Sequence, residues 1–117
     1  MTDTPVHLRY ATSASGVATL TLDYPERRNA MSAAMTEQWV SAIAQIEADP
    51  SGRAVLVTGA GDAFCSGGDT GWIGGDPDAS VTELRDRMMP FYRAWLSIRD
   101  LEIPTIAAIN GPAVGAG

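Results

Sequence analysis

The 117-residue sequence contains one cysteine, one histidine and no run of basic residues. A single cysteine excludes an internal disulfide and a cysteine-based zinc site, so we expect no bound metal. The formal net charge is −6, and lysines and arginines are not clustered. Proteins that bind nucleic acid need such clusters to neutralise phosphates, so we expect no nucleic-acid partner.

Long apolar runs are also missing. No stretch approaches the roughly 20 residues that cross a bilayer, and the N-terminus lacks the basic and apolar segments of a signal peptide. We therefore expect a cytoplasmic protein with no membrane partner. Hydrophobic residues make up 45% of the chain, a share typical of folded domains, and the length fits one domain over residues 1–117.

The periodicity of the first half predicts α/β structure. Val6–Thr12 and Val17–Leu22 alternate and are expected to form an antiparallel hairpin. Ser32 is a predicted N-cap, and a helix is expected from there to Asp49. Apolar residues recur in this helix every three or four positions, namely Met35, Trp39, Ile43 and Ile46. Ala54–Thr58 is a continuous apolar run that fits a strand buried on both faces of a parallel sheet.

The second half predicts another helix and another strand. Ser80–Glu83 matches a capping box at the start of a helix that extends to about Arg99. Its apolar positions keep helical spacing, namely Leu84, Met88, Phe91, Trp95 and Ile98. Pro90 lies among them and is expected to kink or break the helix. Thr105–Ile109 is predicted to be a second buried strand.

Two glycine-containing stretches, Ala63–Asp69 and Asn110–Gly117, follow the two predicted buried strands. Glycine backbone can approach a ligand closely and point its N–H groups outward. The ends of such strands are the usual place for a site in an α/β fold. We therefore predict that each stretch forms half of an oxyanion hole, in which backbone N–H groups stabilise negative charge on a carbonyl oxygen.

Three segments together resemble the crotonase family, which is the enoyl-CoA hydratase/isomerase superfamily. They are residues 25–31 with the pattern Pro-x-x-x-Asn-Ala, residues 63–69, and residues 104–111 followed by 115–117. The resemblance implies a spiral of β-β-α units, of which this chain is an N-terminal part, incomplete at its C-terminus. It also implies an acyl-CoA thioester as substrate, no separate cofactor and a homo-oligomer, either trimer or hexamer. An incomplete sheet is expected to leave Thr105–Ile109 uncovered and to favour self-association.

The resemblance implies a function and a set of site residues. It implies an enzyme that stabilises a thioester enolate through the backbone N–H groups of Ser66 and Ala116, and it places Arg28 and Ala30 beside the phosphates and adenosine of coenzyme A. The other substrate-binding residues that it implies are Gly67, Gly68, Asp69, Trp72 and Gly115. The family's general acid and base glutamates fall beyond Gly117, so the chain alone is expected to lack hydratase activity.

Several alternatives stay open at the level of the sequence. Asp69 would also serve as the N-cap of a turn near Trp72, and Cys65 would be either a nucleophile or a small buried residue. Residues 55–61 resemble the start of a dinucleotide-binding motif, but its third glycine would fall at Phe64. A non-catalytic binding or assembly module of the same fold is the remaining alternative.

Overall fold

The computed structural model describes residues 4–68 and 77–117. Within these ranges, four strands form one sheet in the order β1-β2-β3-β4. The strands are β1 (Leu8–Thr12), β2 (Val17–Leu22), β3 (Ala54–Gly59) and β4 (Thr105–Ala107). The helices in the described part of the chain are α1 (Ala33–Ala48) and α2 (Val81–Leu96), with 3-10 turns at Pro25–Arg27 and Ser97–Asp100. Neither helix is long and apolar enough to cross a membrane.

The strand pairing follows the predicted topology. β1 and β2 form the antiparallel hairpin, with Leu8 opposite Leu22. β2 is parallel to β3, so β2, α1 and β3 form a βαβ unit, and β3 is in turn parallel to β4. Parallel pairing brings the carboxyl ends of β2, β3 and β4 to the same edge of the sheet.

The sheet is covered on one face only within the described residues, and this corrects two expectations about burial. In β3, Val55 and Val57 are buried, whereas Leu56 on the opposite face is half-buried. β4 is exposed along its length, and Ile106 keeps 54% of its surface accessible. A strand buried on both faces needs a layer on each side, and here the helices supply one layer. The exposure of β4 agrees with the expected uncovered surface.

Helix α1 begins and packs as its sequence predicts. The Ser32 hydroxyl accepts a hydrogen bond from the Met35 N–H at 3.1 Å, which satisfies one of the unpaired donors of the first turn. The same hydroxyl lies 2.6 Å from Nδ1 of His7, which also stacks on Tyr24. The predicted apolar stripe is the core side of the helix, formed by the buried residues Met35, Trp39, Ala42, Ile43 and Ile46.

Helices α1 and α2 are joined by a pair of tryptophans. The rings of Trp39 and Trp95 stack with their centroids 4.7 Å apart. Each indole also donates a hydrogen bond across the helix interface, Trp39 to the Trp95 carbonyl at 3.2 Å and Trp95 to the Thr36 hydroxyl at 3.0 Å. A buried indole N–H needs a partner, so both polar tips are satisfied where the rings are packed.

Helix α2 continues through Pro90, so of the expected kink or break the break is wrong. Proline removes one backbone donor and costs about 3 kcal/mol in a helix interior. The two buried residues of α2, Phe91 and Trp95, follow the proline and anchor the second half of the helix in the core. Burial of two aromatic side chains offsets a loss of this size. The first half is less well covered, and Leu84 is exposed although it continues the apolar spacing.

We predict that Ser32→Ala lowers the free energy of unfolding by about 1–2 kcal/mol, because the N-cap of α1 and the partner of His7 are lost together. The measurement is urea unfolding followed by tryptophan fluorescence. Ser41→Ala, at an exposed position of the same helix, is the matched control and should stay within about 0.5 kcal/mol of wild type. Equal effects of the two substitutions would contradict the role of Ser32.

Candidate functional site

Three backbone segments lie side by side beyond the carboxyl ends of β2, β3 and β4. The N–H groups of Phe64 and Cys65 donate to the Pro112 carbonyl at 3.0 and 3.3 Å, and the Val114 N–H donates to the Cys65 carbonyl at 3.0 Å. On the other side, the Met31 N–H donates to the Gly67 carbonyl at 2.8 Å. The first glycine stretch is therefore held between the segment around Met31, which comprises residues 27–31, and the second glycine stretch.

The two glycine stretches touch at Gly67. Its φ is +98°, a conformation that only glycine adopts easily. A Cβ on Gly67 would lie 2.8 Å from the Val114 carbonyl oxygen and 3.5 Å from the Ala116 nitrogen. Position 67 needs glycine because of its positive φ and because a side chain would collide with the Val114 carbonyl. The close approach of the two stretches at Gly67 also brings the Ala116 N–H beside the first stretch. Among the described non-glycine residues, only Arg28 and Asn29 have a positive φ. The backbone of Ala116 therefore avoids the left-handed region that would strain an alanine.

The position of the Ser66 N–H corrects the sequence-based assignment. It donates to the Arg28 carbonyl at 3.0 Å, and the Ser66 hydroxyl donates to the Arg27 carbonyl at 3.1 Å. An N–H that already has a carbonyl partner is not available to a substrate oxygen. Gly68 differs, because within the described residues its N–H has no carbonyl partner. The sequence alone did not show that the Ser66 N–H pairs with the segment around Met31, at the Arg28 carbonyl.

A cavity of about 500 Å³ opens beside these segments. Of the residues predicted for the site, Arg28 and Ser66 line it, together with Pro25, Ala60, Gly61, Asp62, Ala63, Pro112 and Val114. Ala30 is buried at 8% exposure and does not line the cavity, nor do Gly67, Gly68, Gly115 and Ala116 among the described residues. Asp69 and Trp72, which the sequence also placed in the site, lie outside the described residues.

Two asparagines hold the bend between β3 and the first glycine stretch. Asn29 is fully buried, and its side-chain amide donates to the carbonyls of Ala60, Ala63 and Phe64 while its oxygen accepts from the Tyr24 N–H. Asn110 accepts from the Gly59 N–H and donates to the carbonyls of Gly61 and Ala63. Neither residue has a role predicted from the sequence, although both lie inside segments that resemble the family.

Cys65 is a packing residue of the first stretch. It is 1% exposed, and burial raises the pKa of its thiol, an effect that the backbone hydrogen bond from Gly67 reduces only in part. The one histidine of the chain is engaged elsewhere, against Ser32 and Tyr24. A buried thiol with a raised pKa is a poor nucleophile, so the packing interpretation of Cys65 is favoured.

The dinucleotide-binding alternative requires a helix directly after the glycines of residues 59–61. Residues 60–68 instead form turns and two isolated bridges, Met31 with Gly68 and Cys65 with Ala113. No helix N-terminus faces the position that a pyrophosphate would occupy, so this alternative fails within the described residues.

We predict that Gly67→Ala destabilises the protein by more than about 2 kcal/mol, because the methyl group forces the two glycine stretches apart. Gly115→Ala is the matched control: its φ is +59°, but nothing lies within 4 Å of the added methyl group. Only the left-handed conformation then opposes the change, at about 1–2 kcal/mol. Urea unfolding of both variants measures the difference, and equal costs would contradict the close approach at Gly67.

The raised pKa of Cys65 also predicts a pH dependence of stability. The folded state holds the thiol proton more tightly than the unfolded state, whose thiol has an ordinary pKa of about 8.5. This contribution to stability is fully present below about pH 8.5 and is lost as pH rises through the folded pKa, with a slope of up to about 1.4 kcal/mol per pH unit.

The measurement is urea unfolding from pH 7 to pH 10 for wild type and Cys65→Ala. Alanine removes the titrating group, so the stability gap between the two proteins should narrow above about pH 8.5. A gap that stays constant across this range would contradict the raised pKa.

Comparison with known proteins places these features in a family. The enoyl-CoA hydratase/isomerase family model matches residues 12–117. A probable enoyl-CoA hydratase of Mycobacterium tuberculosis (strain H37Rv) is 43% identical over 104 residues, which are 86% of this chain and 38% of that protein. The 1,2-epoxyphenylacetyl-CoA isomerase of Escherichia coli (strain K12) is 39% identical over 103 residues, which are 87% of this chain and 39% of that protein.

Solved structures agree with the sequence comparison. The crystal structure of enoyl-CoA hydratase from Bacillus anthracis matches with a TM-score of 0.82 and 27% identity, over 96% of this chain and 43% of that chain. The chain thus spans 38%, 39% and 43% of the lengths of these three proteins. The predicted α/β crotonase-like fold is confirmed for the part that the chain covers, and the chain belongs to the enoyl-CoA hydratase/isomerase family.

Proposed function

We propose that this chain forms part of an enzyme of the hydratase/isomerase type that binds an acyl-CoA thioester and stabilises its enolate through backbone N–H groups. The observation that carries the proposal is the contact of the two glycine stretches at Gly67, which brings the Ala116 nitrogen beside the first stretch. The names of two relatives support an acyl-CoA substrate, since each name refers to a coenzyme A ester.

The proposed oxyanion donors are the N–H groups of Gly68 and Ala116. Gly68 forms a parallel bridge with Met31, and in this bridge the Met31 N–H donates to the carbonyl of the residue before Gly68. Neighbouring residues of a strand point their backbone groups to opposite sides, so the Gly68 N–H turns away from Met31. That direction leads toward the second glycine stretch. One such donor is worth about 2.7–4 kcal/mol of transition-state stabilisation.

The coenzyme A portion of the substrate is proposed to occupy the cavity of about 500 Å³, with Arg28 at its wall. A guanidinium is a suitable partner for phosphate because its donors match phosphate oxygens in pairs. Arg28 is exposed and adopts a left-handed conformation with φ of 51°, and its N–H donates to the Pro25 carbonyl. The backbone of Arg28 is thereby fixed while its side chain stays accessible.

The uncovered side of the sheet supports a proposal about assembly. Ile106, Ile109 and Val114 expose 54%, 63% and 57% of their surfaces, and among the described residues β4 is an edge strand. Exposed apolar edges favour association, so we propose a homo-oligomer. The same surface favours a second candidate function, a non-catalytic assembly module, which would self-associate without binding a CoA thioester.

We predict that Arg28→Ala raises the Kd for butyryl-CoA about fivefold, the equivalent of ~1 kcal/mol for an exposed charge-assisted contact. Added salt should narrow the gap between variant and wild type, since it screens the phosphate contact. Isothermal titration calorimetry measures both effects.

The matched control is Arg27→Ala, which makes the same charge change one residue earlier, outside the cavity lining. Its Kd should stay near that of wild type. An equal loss of affinity for butyryl-CoA in the two variants would show that the effect comes from net charge and not from a contact of Arg28. A wild-type protein that does not bind butyryl-CoA would contradict the proposed function.

A further inference from the structure

The carbonyl of Ala63 accepts hydrogen bonds from two asparagine side chains at once. The Asn29 amide reaches it at 2.9 Å and the Asn110 amide at 3.2 Å. The two asparagines come from different segments, one ahead of α1 and one after β4, and they are 81 positions apart in the sequence. Ala63 itself is buried and is the first residue of the first glycine stretch.

The remaining bonds of the two amides fix the orientation of each side chain. The Asn29 oxygen faces the Tyr24 N–H at 2.8 Å, so the nitrogen must face the carbonyls, and the reverse orientation would put oxygen against three carbonyl oxygens. Asn110 is constrained in the same way, with its oxygen on the Gly59 N–H at 3.0 Å and its nitrogen on the Gly61 carbonyl at 3.0 Å. Each asparagine thus supplies an acceptor and a donor that no apolar residue can replace.

We propose that Asn29 and Asn110 are positioning residues, which hold the Ala63 carbonyl between them and thereby set where the first glycine stretch meets the second. The hydrogen bonds from Phe64 and Cys65 to Pro112 begin at the next residue, so a shift of Ala63 moves that contact and the direction of the Gly68 N–H with it. This inference rests on the proposed function only for its catalytic consequence. The positioning of the two stretches is a property of the free protein.

The first test therefore needs no ligand. Amide hydrogen exchange is measured for wild type, Asn110→Asp and Asn29→Ser. Asn110→Asp keeps the acceptor for Gly59 and replaces the donors with a carboxylate oxygen that faces the Gly61 and Ala63 carbonyls; Asn110 is exposed to solvent. Exchange of the Phe64, Cys65 and Val114 amides should quicken about tenfold in both variants, while exchange in β2 stays unchanged. Thr58→Val is the matched control, because Thr58 bonds the Ala108 carbonyl at 2.9 Å without touching the glycine stretches.

The second test separates positioning from binding. Butyryl-CoA with 13C at the thioester carbonyl is bound to each protein, and the carbonyl stretch is measured by infrared difference spectroscopy alongside Kd. In wild type, two N–H donors should lower the stretching frequency on binding. In Asn110→Asp at least about half of this shift should disappear while Kd rises tenfold or less, the effect of about one hydrogen bond. Thr58→Val should keep the full shift.

The outcomes are distinct. Unchanged amide exchange in both asparagine variants overturns the positioning role, whatever the ligand does. Altered exchange with a full carbonyl shift overturns its catalytic consequence. Wild type that fails to bind butyryl-CoA defeats the proposed function, and the exchange data then decide the positioning role alone. If Asn29→Ser does not fold, Asn110→Asp carries both tests.

Discussion

The hydrogen bonds among three short backbone segments are the constraint on which the site depends. The segment around Met31, the first glycine stretch and the second glycine stretch extend the sheet direction beyond β2, β3 and β4 without being regular strands. Their pairing uses up particular N–H groups and leaves others unpaired. Because backbone donors carry no side-chain identity, the hydrogen-bond pattern alone decides which of them can meet a substrate oxygen.

The sequence predicted those parts of the fold that are set by local chemistry. The strand Val17–Leu22 and the capped start of α1 were predicted because alternation, helical spacing and an N-cap serine are all visible within a few residues. A break at Pro90 was one of the two expected outcomes, because local propensity favours it, and only the burial of Phe91 and Trp95 further along the helix overrides that propensity. Burial of β3 and β4 was overestimated because it depends on which layers cover the sheet.

The site was predictable as a place but not in its atomic detail. Two glycine stretches at neighbouring strand ends were enough to locate the site. The match of residues 12–117 to the enoyl-CoA hydratase/isomerase family agrees with the family resemblance of these stretches. The donor at Ser66 was misassigned because its partner, the Arg28 carbonyl, lies 38 positions earlier in the sequence. Asn29 was passed over for a related reason, since its three acceptor carbonyls lie 31 to 35 positions away.

The stacked indoles of Trp39 and Trp95 have an optical consequence. At a centroid separation of 4.7 Å their electronic transitions couple, and both rings sit in a rigid, asymmetric environment between α1 and α2. The pair therefore gives the near-ultraviolet circular dichroism a component that exists only while α2 is seated on α1. Detachment of that helix, with the sheet intact, would remove this component. The circular dichroism of this tryptophan pair thus reports whether α2 is packed on α1.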